Sequence, residues 1–161
     1  MRTLQTARVI NHSTIATVND GTNAVTTAID TAGYSGGDLL IIAGYGSIAG
    51  STTFSAMKVQ ESDDNSSFSD VTGCVVGTST LSDGSATSVV FAGADDDNSQ
   101  LIFHIPLTES RKRYFKFVST NSAHAVVMNC VAVLVPGGLS DGSEDTTAAT
   151  TGAHQQFLRA T

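Results

Sequence analysis

The stretch RYFKFVST (Arg113–Thr120) decides the fold, because Tyr114, Lys116 and Val118 alternate with Phe115, Phe117 and Ser119. A period of two places successive side chains on opposite faces, as in a half-buried strand. Working outward, similar strand signals recur. Ala24–Ile29 is Thr-rich and apolar at every second or third position. Asp38–Tyr45 (DLLIIAGY) is a continuous apolar run, which fits a strand covered on both faces. Thr53–Glu61 sets Phe54, Ala56 and Lys58 on one face and Ser55, Met57 and Val59 on the other. Both faces carry apolar groups, so the inward side stays open. Thr87–Ala92 and Gln100–Leu107 are further strands. His124–Val135 is the last strong one, ended by Pro136, Gly137 and Gly138.

Turn residues separate these runs: Asp20-Gly21, Gly36-Gly37, Asp63-Asp64-Asn65, Asp83-Gly84, Asn121-Ser122 and Asp141-Gly142. Gly, Asn and Asp tolerate the positive φ of tight turns. About eight strands at such spacing predict an all-β, antiparallel sandwich or barrel. No stretch has clear helical periodicity; only a short turn near Glu109 is admitted.

The organisation reads as three parts. Residues 1–22 form an N-terminal arm or an edge strand through Arg8–Val18, 23–138 form the sandwich, and 139–161 form a C-terminal arm or flexible tail. The tail has little to bury besides Phe157 and Leu158.

The 161 residues suit one domain. A net charge of −7 repels phosphate, so nucleic acid is not expected as a partner. The longest apolar runs, Leu39–Ala43 and Ala125–Val135, fall short of the ~20 residues that a membrane-spanning helix needs. Met1-Arg2-Thr3-Leu4 is not followed by an apolar signal region, so synthesis in a cytoplasm is expected. Cys74 and Cys130, both in apolar stretches, are then expected as buried thiols.

The stretch KVQESDDNSSFSDVTG (58–73) holds Glu61, Asp63, Asp64 and Asp70. With Asp95 and Asp97, the pair Asp63 and Asp64 is a candidate calcium-ligand set. Calcium loops, however, want alternate carboxylates and a glycine at the bend. The stretch reads better as a solvated hairpin turn, held from inside by Val59, Phe68 and Val71, in which replacing Asp63 and Asp64 should change stability little. His12, His104, His124 and His154 are scattered without zinc spacing, and His104 reads as a strand residue with a satisfied ring. GYGSIAG (44–50) lacks the Lys-Ser/Thr of a phosphate loop and reads as a flexible connection. Neither a metal nor another cofactor is expected, and no catalytic constellation is legible. The basic run Arg111-Lys112-Arg113 offers either a partner contact or solvated charge that pairs with acidic loops.

Several segments in order carry a resemblance: AIDTAGY (28–34), DLLIIAGYG (38–46), FSAMKVQESDD (54–64) with Phe68, Asp70 and Val71, RKRYFKF (111–117), and Ala125–Val135 ending in VAVLVPGG. Residues 24–138 resemble a family of small virion proteins of tailed bacteriophages, encoded among head genes. The chain departs from that pattern at Thr108-Glu109-Ser110, where a glycine often stands, and after Gly138. The resemblance implies an antiparallel β-sandwich, jelly-roll-like in topology, that serves as a capsid decoration, or cement, protein on the virion exterior. Its expected partners are itself, as a homotrimer matching threefold lattice junctions, and the phage major capsid protein. Expected subunit or capsid contacts are Arg2, Leu4, Val9, Arg111, Lys112, Arg113, Phe157 and Leu158. The alternatives are a carbohydrate-binding sandwich, for which Tyr34 and Tyr45 are the available aromatics, or another head or tail component.

Overall fold

The computed structural model describes residues 7–18, 23–48, 51–76, 90–92, 98–121, 126–137 and 155–159. These residues are all-β. In chain order the strands are β1 (Arg8–Val18), β2 (Asn23–Val25), β3 (Ile29–Asp30), β4 (Asp38–Ile48), β5 (Ser51–Ser62), β6 (Ser69–Val76), β7 (Val90–Ala92), β8 (Gln100–Pro106), β9 (Tyr114–Asn121), β10 (Val126–Val135) and β11 (Gln155–Arg159). They form two sheets. The first has the order β1-β10-β4-β8-β11. The second has the order β2-β9-β5-β6, with β3 also on β9 and β7 on β5. All pairings are antiparallel except that of β11 with β8.

The pairing is nested. Leaving out β3, β7 and β11, the first strand pairs with the last (β1 with β10) and the second with the next to last (β2 with β9). Inside these, β4 pairs with β8 and β5 with β6. The chain is thus one long hairpin. Lateral pairing of β10 with β4 and of β9 with β5 winds that hairpin into the two sheets.

Alternation fixes which side chains fill the space between the sheets. From the first sheet come Leu39, Ile41, Ala43 and Tyr45 of β4, Phe103 and Ile105 of β8, and Met128, Cys130, Ala132 and Leu134 of β10. From the second come Met57 and Val59 of β5, Val71, Cys74 and Val76 of β6, and Phe115 and Phe117 of β9. The open choice in β5 is therefore settled by Met57 and Val59, both fully buried. Burying a side chain of this size contributes about 1.5–3 kcal/mol, which makes the β5 register costly to slip by one residue.

Some expectations need correction. DLLIIAGY is not covered on both faces: Leu40 and Ile42 remain half-buried on the outside of the sheet. Ala24–Ile29 is not one strand, because Thr26 breaks it. Its hydroxyl accepts from the Phe117 N–H at 2.9 Å in place of its own carbonyl and donates to the Phe117 carbonyl at 3.2 Å, while the Thr26 N–H keeps its bond to that carbonyl at 3.0 Å. GYGSIAG is not a loose connection over its first half, since β4 runs to Ile48. Gly44 fits there because a Cβ would run into the side-chain oxygen of Asn129, which lies over it from β10.

Candidate functional site

Two surfaces gather the side chains that sequence reasoning singled out: the loop end of the sandwich, and the outside of the first sheet.

At the loop end, three connections converge. They are residues 31–37 between β3 and β4, 63–68 between β5 and β6, and 107–113 between β8 and β9. Together they line an open cleft of about 270 Å3 that includes Thr31, Gly33, Asp63, Glu109 and Lys112. The basic run lies here, and each of its members is engaged within the chain. Arg111 pairs with Glu61 at 3.5 Å, with both side chains largely buried at 13% and 12% exposure. Lys112 donates its backbone N–H to Glu61 at 3.3 Å and its ammonium to the Ser69 hydroxyl at 3.0 Å. Arg113 grips Asp30 with two bonds, 2.8 Å from Nε and 2.7 Å from Nη2, and stacks over the Tyr114 ring. The Arg113 guanidinium holds the Asp30 carboxyl down at about 2, helped by the Ala32 N–H. The basic run thus ties Asp30 at the end of β3 and Glu61 near the end of β5 into one charged cap.

The acidic turn is built by Asp64. Its Oδ1 accepts from the Ser62 hydroxyl at 2.7 Å, the Ser66 N–H at 2.9 Å and the Ser67 N–H at 2.7 Å. These donors push its carboxyl well below the ordinary carboxylate range. Asn65 turns the chain with φ at 57°. Asp63 is exposed beside this turn. Among the described residues no three His, Cys, Asp or Glu converge as metal ligands. Val59 and Val71 face the core as anticipated, but Phe68 does not. Phe68 stays half-buried on the outside, where the Lys116 ammonium sits 3.9 Å from its ring centroid.

The two sheet exteriors differ in chemistry. The second sheet presents mostly polar groups, including Lys58, Gln60, Asp70 and Lys116, and Asp70 binds both Lys58 at 2.9 Å and Gln60 at 2.7 Å. The same face also carries an apolar row, with Val25 54% exposed beside its register partner Val118, which is buried. The first sheet presents a row of register partners, Val9, Val133, Leu40 and His104, across β1, β10, β4 and β8. The next outward row runs through Val131, Ile42 and Ile102. Val127 and Val135 extend this surface along β10. Val9 is 67% exposed. Asp38 and His104 on this face are joined at 2.8 Å, and the row of His104 continues in register to Arg159 of β11.

Of the contact residues expected from sequence, Val9 lies on this apolar face, while Arg111, Lys112 and Arg113 lie at the loop end. Phe157 and Leu158 fall in β11, opposite Ile102 and Phe103. Arg2, Leu4, Asp95 and Asp97 lie outside the described residues, as do His124, His154 and most of the tail. Sequence reasoning missed the apolar exterior as a surface, although Val131, Val133 and Val135 on one parity of β10 carried the signal. It also offered Tyr45 as an exposed aromatic. Tyr45 shares the inward parity of Leu39, Ile41 and Ala43 and is 1% exposed, with its hydroxyl donating to Met57 Sδ. Tyr34 packs against the core.

No family model matches the chain. No curated protein matches it either. Among solved structures, the PBSX exported protein XepA aligns with 90% of this chain at a TM-score of 0.48 and 16% identity. The aligned part is 42% of that protein, so this chain spans less than half of its length. Among the described residues no helix is long and apolar enough to cross a membrane.

Proposed function

We propose that the chain is a structural virion protein of a tailed bacteriophage, a decoration protein that sits outside the major capsid lattice as a homotrimer and stabilises the head. On this reading the nested sandwich is a jelly roll, an architecture suited to packing side by side in shells. The protein acts by burying surface, without catalysis and without a cofactor. The observation that carries the proposal is the exterior of the first sheet, where Val9, Val133 and Leu40 lie in one row and Val131 and Ile42 in the next. A contiguous apolar exterior marks a surface that meets a partner. The order of segments over residues 24–138 supports the phage assignment, and the acidic charge favours the outside of a shell over its DNA-lined interior.

The test is co-sedimentation of the purified protein with phage heads that lack it, alongside native mass determination. Binding that saturates at a fixed ratio to the major capsid protein, by a trimer, supports the proposal. A protein that stays in the supernatant at every concentration overturns it. The carbohydrate-binding reading loses ground, because of its two nominated aromatics Tyr45 is buried in the core and Tyr34 is partly buried against it.

A further inference from the structure

We infer that β11 is an exchanged strand: Gln155–Arg159 of each copy pairs with β8 of the next copy around the proposed trimer. The inference rests on the proposed structural role and names the segment that joins its copies.

Strand direction carries the argument. β10 is antiparallel to β4, β4 is antiparallel to β8, and β11 is parallel to β8, so β10 and β11 run the same way in one sheet. Val135 closes β10 level with Asp38 and Pro106, whereas Gln155 opens β11 level with Gln100 and Gly44, toward the other end of the strands. A chain that supplies its own β11 must therefore return about 20 Å along the strands and cross three strand spacings, about 14 Å. A connection between parallel strands of one sheet passes over one of its faces. The inner face is filled by Ile41, Phe103 and Cys130 packed toward the second sheet. That leaves the outer face, with Val133, Leu40, Val131 and Ile42.

The connecting sequence does not suit that face. Residues 138–154 (GLSDGSEDTTAATTGAH) carry Asp141, Glu144 and Asp145 among many Ser and Thr, and their apolar members are Leu139 and three alanines. Carboxylates and hydroxyls laid on valine, leucine and isoleucine lose water without gaining partners. The same sequence suits a solvated tie between copies, and its seventeen residues reach about 55 Å when extended. The register of β11 on β8 is the same whichever copy supplies the strand. Exchange therefore keeps every ladder bond, covers the β8 edge and leaves the apolar face open to the shell.

Charge and symmetry agree with exchange. β11 has one charged residue, Arg159, so the strand adds a positive charge to a copy that carries −7. It enters in register with His104, which is bonded to Asp38. An arm that leaves one copy and enters the next is a head-to-tail contact, and such contacts can close as a ring of three.

The experiment joins two register partners. Gln100→Cys and Gln155→Cys are placed together in the full-length chain, which is oxidised at low protein concentration and run on a denaturing gel without reductant. Peptide mass mapping identifies the joined cysteines; Cys74 and Cys130 are buried. Covalent species of two and three chains are expected, the largest at three times 16.6 kDa, all collapsing to one chain on reduction. Should the double variant fail to fold, co-expressed Gln100→Cys and Gln155→Cys chains keep the test, because a link between one chain of each kind forms only across copies. Joined peptides found only within single chains, as a connection over the outer face or around the β11 edge would give, overturn the inference. So does the absence of any link between chains, or a series that ends at two. If the links stay within single chains while the protein still saturates phage heads as a trimer, the inference falls and the proposed function stands. If three-chain species form while the wild type ignores heads, the inference stands and the proposed function falls.

Discussion

Phe103 of β8 and Phe117 of β9 meet across the sandwich with ring centroids 5.7 Å apart and planes inclined at 49°. Each belongs to a different sheet and each is fully buried, so this pair clamps one sheet onto the other. Replacing Phe117 with Ala leaves a cavity that neither sheet can close without breaking its ladder. The expected loss is about 3–5 kcal/mol, read as a lower urea midpoint at an unchanged denaturant slope. A loss below about 1 kcal/mol would show that the clamp is unimportant.

Acid should loosen the loop end. The Asp30 carboxyl is held down at about 2 by Arg113, from an ordinary value near 3.8. A lowered folded-state value means that its contribution is complete above the ordinary carboxylate range and is lost as pH falls from about 4 toward about 2. Asp64 is lowered too and acts in the same direction. Asp30→Asn should therefore flatten the dependence of the urea midpoint on pH across that interval. The pair is about half exposed, so the effect should be modest and should shrink further in high salt. A pH profile identical to wild type would remove Asp30 as a contributor.

The two neighbouring aspartates of the acidic turn should behave differently. Asp64 holds two backbone N–H groups and a hydroxyl, whereas Asp63 stands exposed beside them. The sequence alone suggested that both could be replaced at little cost. The geometry revises that. Asp64→Ala should lower the melting temperature, because the turn's donors lose their acceptor, while Asp63→Asn should leave it nearly unchanged. Neither melting temperature should move on adding calcium or a chelator. A calcium-dependent rise in the wild-type protein would show that the turn binds the ion after all.

Both cysteines should be silent in the folded protein. Burial pushes the Cys74 and Cys130 thiols up to about 12, so almost no thiolate exists at neutral pH. A thiol reagent at pH 8 should modify neither until denaturant is added, and then both. Fast labelling of the native protein would mean that the β6 or β10 region opens readily.

How far the strands could be read depended on whether parity survives along them. In β9 and β10 it does: Phe115 and Phe117 alternate with Tyr114 and Lys116, and Val126–Val135 alternates buried with half-buried at every step. In β6 it does not. Gly73 takes φ at 80° and the β5–β6 register shifts there, so Val71 and Cys74 both face inward despite being three residues apart. A bulge of this kind erases the period-two signal, so of Ser69–Val76 only Val71, the inward anchor of the hairpin, was legible in the sequence. β11 was illegible for another reason. Five residues with two apolar members carry too little periodicity, and their pairing with β8 is a long-range event. The loop-end pairs joining Asp30 to Arg113 and Glu61 to Arg111 were open in principle, since sequence gives charge but not which loops meet. The apolar exterior was partly visible. DLLIIAGY and VVMNCVAVLV each carry too many apolar residues for a one-sided strand, and the structure shows which half of them is left outside.

The nested pairing has a consequence for the order in which the chain can assemble. The β5–β6 hairpin closes over the shortest stretch of chain, around the Asp64 turn, whereas β1 must find β10 near the other end of the sandwich. Loop-closure entropy favours zipping from the middle outward. β1 and β10, the outermost pair of the nest, are then the last to join, so nascent chains are expected to wait, incompletely closed, until synthesis of β10 is finished.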